Sequence, residues 1–184
     1  MAEERRVRAD AQRNLGVVLE AAKAVFADSG VDAPVREIAA RAGVGVGTLY
    51  RHFPQRSDLV VAVFRQEVDA CADAASALAA NYEPADALAR WLRRFTEFIG
   101  TKKGLAAALH SGDTAFEALP AYFDGRMQPV LKSLLDTAAA AGEVRADVDS
   151  NELLHAVAYL CMSADGQQSA RMVDLLIDGL RYGA

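Results

Sequence analysis

The sequence predicts an all-α protein of about nine helices. Three observations carry this expectation. Apolar residues recur at i, i+3, i+4 and i+7 along most of the chain. No stretch alternates polar and apolar residues as a half-buried strand does. Proline is scarce, five in 184 residues, while Ala, Leu, Val, Glu and Arg dominate. The composition, 52% hydrophobic and 24% charged, is that of a folded protein, and the length allows a sizeable core in one large or two small domains.

Residues 1–13 carry Arg5, Arg6, Arg8 and Arg13 among acids and are expected to fray. Leu15, Val18, Leu19, Ala22, Val25 and Phe26 then form one apolar stripe, and Gly30 in "DSG" serves as a C-terminal cap. A short helix is expected from Pro34, which suits a first helical position, to Ala42. A second runs from about Val46 to His52, stopped by Pro54. A long helix follows, about 57–81, with its stripe at Val60, Val63, Phe64, Val68 and Cys71. After "NYEPAD", Leu88, Trp91, Leu92, Phe95, Phe98 and Ile99 mark another helix. A short one is expected over 104–110, then a long one over 115–141, bent near Pro120 or Pro129. "GEVRADVDSNE" reads as a loop in which Asp149 and Glu152 form a cap pair. Helices over 150–164 and 168–182 complete the chain. No repeat or low-complexity linker interrupts it, so a continuous helical body is expected.

Several function classes are excluded. The first residues have no apolar segment of a secretory signal, and no apolar run reaches about 18 residues, the length of a membrane span. Cys71 and Cys161 fall inside apolar helical patterns, as buried thiols in a reducing compartment do. Both points lead to a cytoplasmic location. His110 and His155 have neither an i+4 partner nor a nearby cysteine, and Asp147 and Asp149 are explained by a turn and a cap, so no metal site is expected. No nucleophile elbow, phosphate loop or zinc spacing is present. The chain is read as neither an enzyme nor a cofactor carrier. Charge divides unevenly: residues 1–56 hold nine Lys/Arg against seven Asp/Glu, and 57–184 hold eleven against eighteen. A mildly basic end on an acidic body suits a nucleic-acid contact confined to that end.

The stretch "VREIAARAGVGVGTLYRHF" sharpens this reading. Ala39, Gly43 and Leu49 are spaced as in a helix-turn-helix. A small residue sits where the two helices touch, a glycine at a turn that admits positive φ, and an apolar anchor on the second helix. Ile38, Ala42, Val44 and Phe53 supply the remaining apolar faces. With "AAKAVFADSG", "VREIAARAGV", "GTLYRHF" and "RSDL", residues 14–64 resemble the DNA-binding domain of the TetR family.

The resemblance implies a three-helix head, residues 1–56, and a helical effector-binding and dimerisation body, residues 57–184. It implies that Val46–His52 enters the major groove, that Gly47 lets the backbone approach DNA, and that Thr48, Tyr50 and His52 touch phosphates or base edges, with Arg51 beside them. Arg56 matches a phosphate-contacting lysine. Arg36 and Arg41, on the preceding helix, reach the DNA backbone. The sequence departs from the family pattern at Ala33 and Pro34, where Thr or Ser is common, and at Gly45 and Val46, where Ser followed by Lys or Arg is common. Gly45 still caps a helix. Val46 is suited to a thymine methyl rather than a phosphate, so the operator is expected to differ from those of lysine-bearing relatives, with more reliance on the four N-terminal arginines.

For the body, the resemblance implies a cavity for an unidentified small apolar or amphipathic effector. The residues expected there are Trp91, Phe95, Phe98, Leu109, His110, Phe116, Tyr122, Phe123, Met127 and Tyr159, with "HSGDT" as a gate. For each aromatic taken singly, ordinary core is the competing reading. The last two helices, "LLHAVAYLCM" and "MVDLLIDGL", are apolar on nearly all sides and need cover, which a second copy supplies. The sequence thus leads to a homodimeric, effector-released repressor on a palindromic operator. A helical ligand-binding or adaptor protein without DNA binding is the alternative, and an all-α enzyme with a buried apolar site a third.

Overall fold

Helix α1 runs Ala2–Ser29, so the first residues extend the helix rather than fray from it. The computed structural model describes residues 2–101, 112–163 and 166–181, and side chains within those ranges apart from 2–13, 101 and 163. The helix expected over 104–110 lies outside them. Eight α-helices, one 3-10 turn and no strand make up the described residues. No helix among them is long and apolar enough to cross a membrane, and no group of metal-ligating side chains occurs among them.

The described residues fall into two compact units. One runs to Gln66 and includes 112–117; the other holds Glu67 onward and resumes at Ala118. In the first unit, α1 ends at Gly30, whose φ of 78° is open to glycine but costly for other residues. Helix α2 (Val35–Ala42) follows the extended Pro34, and Gly43 ends it at φ 66°, ψ 28°. The amide of Val44 then donates to the Ala39 carbonyl at 3.0 Å, a bond that satisfies a carbonyl left over at a helix end. Helix α3 (Val46–His52) starts after an extended Gly45. Helix α4 (Arg56–Asn81) begins here, with Asp58 accepting from the Gln55 amide at 2.8 Å, and continues into the second unit. Leu19, Val25, Phe26, Ile38, Leu49 and Val60 are buried in the core.

The second unit holds the rest of α4 with α5 (Pro84–Thr101), α6 (Leu119–Ala140), α7 (Ser150–Ser163) and α8 (Gly166–Arg181). Helix α5 packs on α6, α7 and α8, which is why its whole apolar set, Leu88 through Ile99, is buried. The helix expected from residue 115 starts later. Asp113 caps a 3-10 turn, Thr114–Phe116, and α6 begins with Pro120 in its first turn, where the missing N–H leaves no bond unmade. Pro129 lies inside α6. The expected cap at Asp149 forms: its Oδ1 accepts from the amides of Asn151 and Glu152 at 2.9 and 3.0 Å. Before it, the Arg145 amide donates to the Leu180 carbonyl, and the guanidinium holds Asp147 by two bonds of 2.6 Å.

Candidate nucleic-acid interface

The turn between α2 and α3 sets the geometry of the first unit. Gly43 in the left-handed region reverses the chain, and Ile38, Ala39 and Leu49 close under it at 0, 1 and 2% exposure. Leu49 is the only buried residue within α3. The other face of that short helix stays in solvent. Val46 is 39% and Tyr50 50% exposed, and Gly45, Gly47, Arg51 and His52 are exposed as well, with Thr48 half-buried. A Cβ at Gly47 would meet nothing within 4 Å, so its backbone faces open space.

The cations divide into four kinds. Arg36 is exposed on α2. Arg51 folds back along its own helix, donating to the Gly47 carbonyl at 3.3 Å and the Thr48 hydroxyl at 3.4 Å. Arg41 pairs with Asp28 at 2.8 Å, tying α2 to α1. Arg56 turns inward: its Nη1 donates to the Val31 carbonyl and, at 2.9 Å, to the Ala33 carbonyl. It therefore spans the turn between α1 and α2, a placement that the sequence, matching it to a phosphate contact, gave no sign of. The side chains of Arg5, Arg6, Arg8 and Arg13 lie outside the described residues.

In the second unit the aromatic residues pack on one another. Trp91 stacks on Phe95 with centroids 5.5 Å apart and planes 2° from parallel, and Phe123 meets Phe95 at 6.0 Å and Phe98 at 6.2 Å. The Trp91 indole donates to the Cys71 carbonyl at 3.0 Å. Trp91, Phe95 and Met127 are fully buried. Tyr122 donates from its hydroxyl to Asp69 at 2.8 Å, where Arg126 also bonds, at 2.7 Å. Of the other residues expected at a pocket, Phe116 is buried in the first unit, Tyr159 is 65% exposed on α7, and Leu109 and His110 fall outside the described residues. An opening of about 310 Å³ lies elsewhere, among α5, α7 and α8, and none of the eight expected residues that are described lines it.

Residues 18–63 match the family model described as bacterial regulatory proteins, tetR family, and residues 83–182 match the SbtR-like transcriptional regulator C-terminal domain. The second match alone takes in more than half of the chain. The chain belongs to the TetR family of transcriptional regulators. A TetR regulator of Streptomyces coelicolor is 40% identical, with 92% of this chain and 99% of that one aligned at a TM-score of 0.79. One from Mycobacterium vanbaalenii is 39% identical over 95% and 99%, TM-score 0.77. An HTH-type transcriptional regulator of Staphylococcus aureus is 39% identical over 64 residues, 34% of this chain and 35% of that one. In this TetR regulator the α2–α3 corner falls inside the tetR match and α5 to α8 inside the C-terminal match.

Proposed function

We propose that this TetR regulator is a repressor that binds a palindromic operator as a homodimer and leaves it when a small molecule occupies the body. Residues 1–56 serve as the head and 57–184 as the effector-binding and dimerising body. The observation that carries this reading is α3. One buried side chain anchors a seven-residue helix whose Val46 and Tyr50 are left in water. Such a surface suits a groove floor, with Val46 against a thymine methyl and Tyr50, Thr48 and His52 on phosphates or base edges. Arg36 is exposed and reaches the DNA backbone, Arg51 does so by exchanging its long bonds to Gly47 and Thr48 for a phosphate, and Arg56 supports the head from inside. Dimerisation uses α7 and α8, where Tyr159, Met162, Met172 and Leu175 are exposed apolar side chains that a second copy would cover. The protein then works with DNA in the cytoplasm and has no catalytic role.

Effector and DNA weaken each other's binding by the same factor. Selection of random DNA by the purified protein, with titration in salt, tests the reading. Enrichment of a palindrome with half-sites about one helical turn apart supports it. Sequence-blind binding alone overturns it. A second reading, a helical ligand-binding or adaptor protein without DNA binding, is favoured by the inward turn of Arg56 and the lack of a cation at Gly45 and Val46.

A further inference from the structure

The opening among α5, α7 and α8 has the features of a small-molecule site, and its chemistry differs from that of the aromatic core. Its floor is apolar: Cys161 of α7 and Val173 of α8 are 2 and 1% exposed. Its volume, about 310 Å³, sits at the lower end of small-molecule pockets. Ser169 adds a hydroxyl to the wall. It occupies the buried stripe of α8, where Val173, Ile177 and Leu180 follow, and at 3% exposure donates to the Leu160 carbonyl over a long 3.4 Å. With its hydrogen on that carbonyl, the Ser169 oxygen keeps acceptor capacity. The hydroxyl of Thr96 likewise spends its hydrogen on the Leu92 carbonyl, at 2.9 Å, and keeps acceptor capacity.

Among the described residues, charge at the rim points one way. Arg93 bridges from α5 to Asp174 of α8 at 2.8 Å, so these two cancel. Glu97, one helical turn further along α5, also lines the opening. The neighbouring arginines do not neutralise it: Arg94 is turned to the Ala70 carbonyl at 3.2 Å, and Arg90 lies 3.9 Å over the Tyr82 ring. The opening thus presents a carboxylate at its rim and two acceptor hydroxyls in its wall, above an apolar floor.

We propose that this cavity binds a small amphipathic cation, such as an amine on a hydrocarbon body, with the ammonium on Glu97 and the hydrocarbon on Cys161 and Val173. The proposal rests on the reading of the chain as a ligand-responsive regulator and names the ligand class. Six-carbon probes that differ only in head group test it on the full-length protein: hexylamine, hexanol and hexanoate, titrated by calorimetry.

Hexylamine is expected to bind best and hexanoate worst. Glu97→Gln should weaken hexylamine about tenfold, the scale of one charge-assisted hydrogen bond, and leave hexanol unchanged. Ala170→Trp, which fills the opening from an exposed position of α8, should remove both. Preference for hexanoate, unchanged hexylamine affinity in both variants, or no saturable binding by any probe would overturn the site. Binding to the selected operator, measured on the same preparations, separates the two claims. Intact operator binding without amine binding sinks only the cavity, whereas absence of sequence-specific DNA binding sinks the regulator reading.

Discussion

The α2–α3 corner and the aromatic cluster of α5 and α6 use side chains in opposite ways. At the corner, small and medium residues, Ala39 and Leu49, do the packing, and Tyr50, Val46 and His52 are left in water. In the cluster, Trp91, Phe95 and Phe98 are all turned inward and stacked. An aromatic residue is thus exposed where a partner surface is expected and consumed where helices must close on one another. The contrast teaches that residue type alone does not mark a binding site; what matters is whether neighbours have already satisfied it.

The sharpest way to break the contrast is Trp91→Ala. It removes the stack on Phe95 and the bond to Cys71, and should destabilise the protein by about 3–5 kcal/mol, read by chemical denaturation. A loss under about 1 kcal/mol would mean the indole lines a space rather than fills one. Tyr50→Ala is the converse. Operator affinity should fall by about 1–3 kcal/mol with the melting temperature and the dimer unchanged. Equal operator affinity in the two proteins would remove Tyr50 from the interface.

Arg56→Ala sharpens the line between the two kinds of site. With its guanidinium on the Val31 and Ala33 carbonyls, the variant should lose operator affinity and thermal stability together, about 1–3 kcal/mol for the buried acceptors left behind, while the salt slope holds. A slope smaller by about 1 would instead give Arg56 a phosphate contact. The smallest effect is expected at Asp147, far from both regions in sequence. The hydrogen bond from Arg145 holds its carboxyl below the ordinary value of 3.8. A depressed folded-state value adds stability above the unfolded value and loses it as pH falls through the folded one. The stability gap between wild type and Asp147→Asn should therefore be small at neutral pH and vanish in acid. A gap that grows on acidification would reverse the sign.

Much of the head was legible because its rules are local. Gly43 at positive φ, the extended Gly45 and the buried Leu49 each follow from a few neighbouring residues, and the boundaries of α3 fall where the spacing put them. The cap at Asp149 was legible for the same reason. The start of α6 was not, since Asp113 diverts the chain into a 3-10 turn before Pro120 opens the helix. Ser169 carried a faint signal, one hydroxyl on an otherwise apolar stripe, but nothing in the sequence set it near Glu97.

By itself, the sequence determined the helical class, the corner between α2 and α3, and the family, because periodicity and turn chemistry act over a few residues. Only the tertiary structure decided that the aromatics of α5 close on Phe123, that Arg56 reaches back to Val31 and Ala33, and that an opening forms beside Arg93 and Asp174. These contacts join residues more than twenty positions apart. Helical spacing fixes which face a side chain occupies, but only the packing of one helix on another fixes what that face meets.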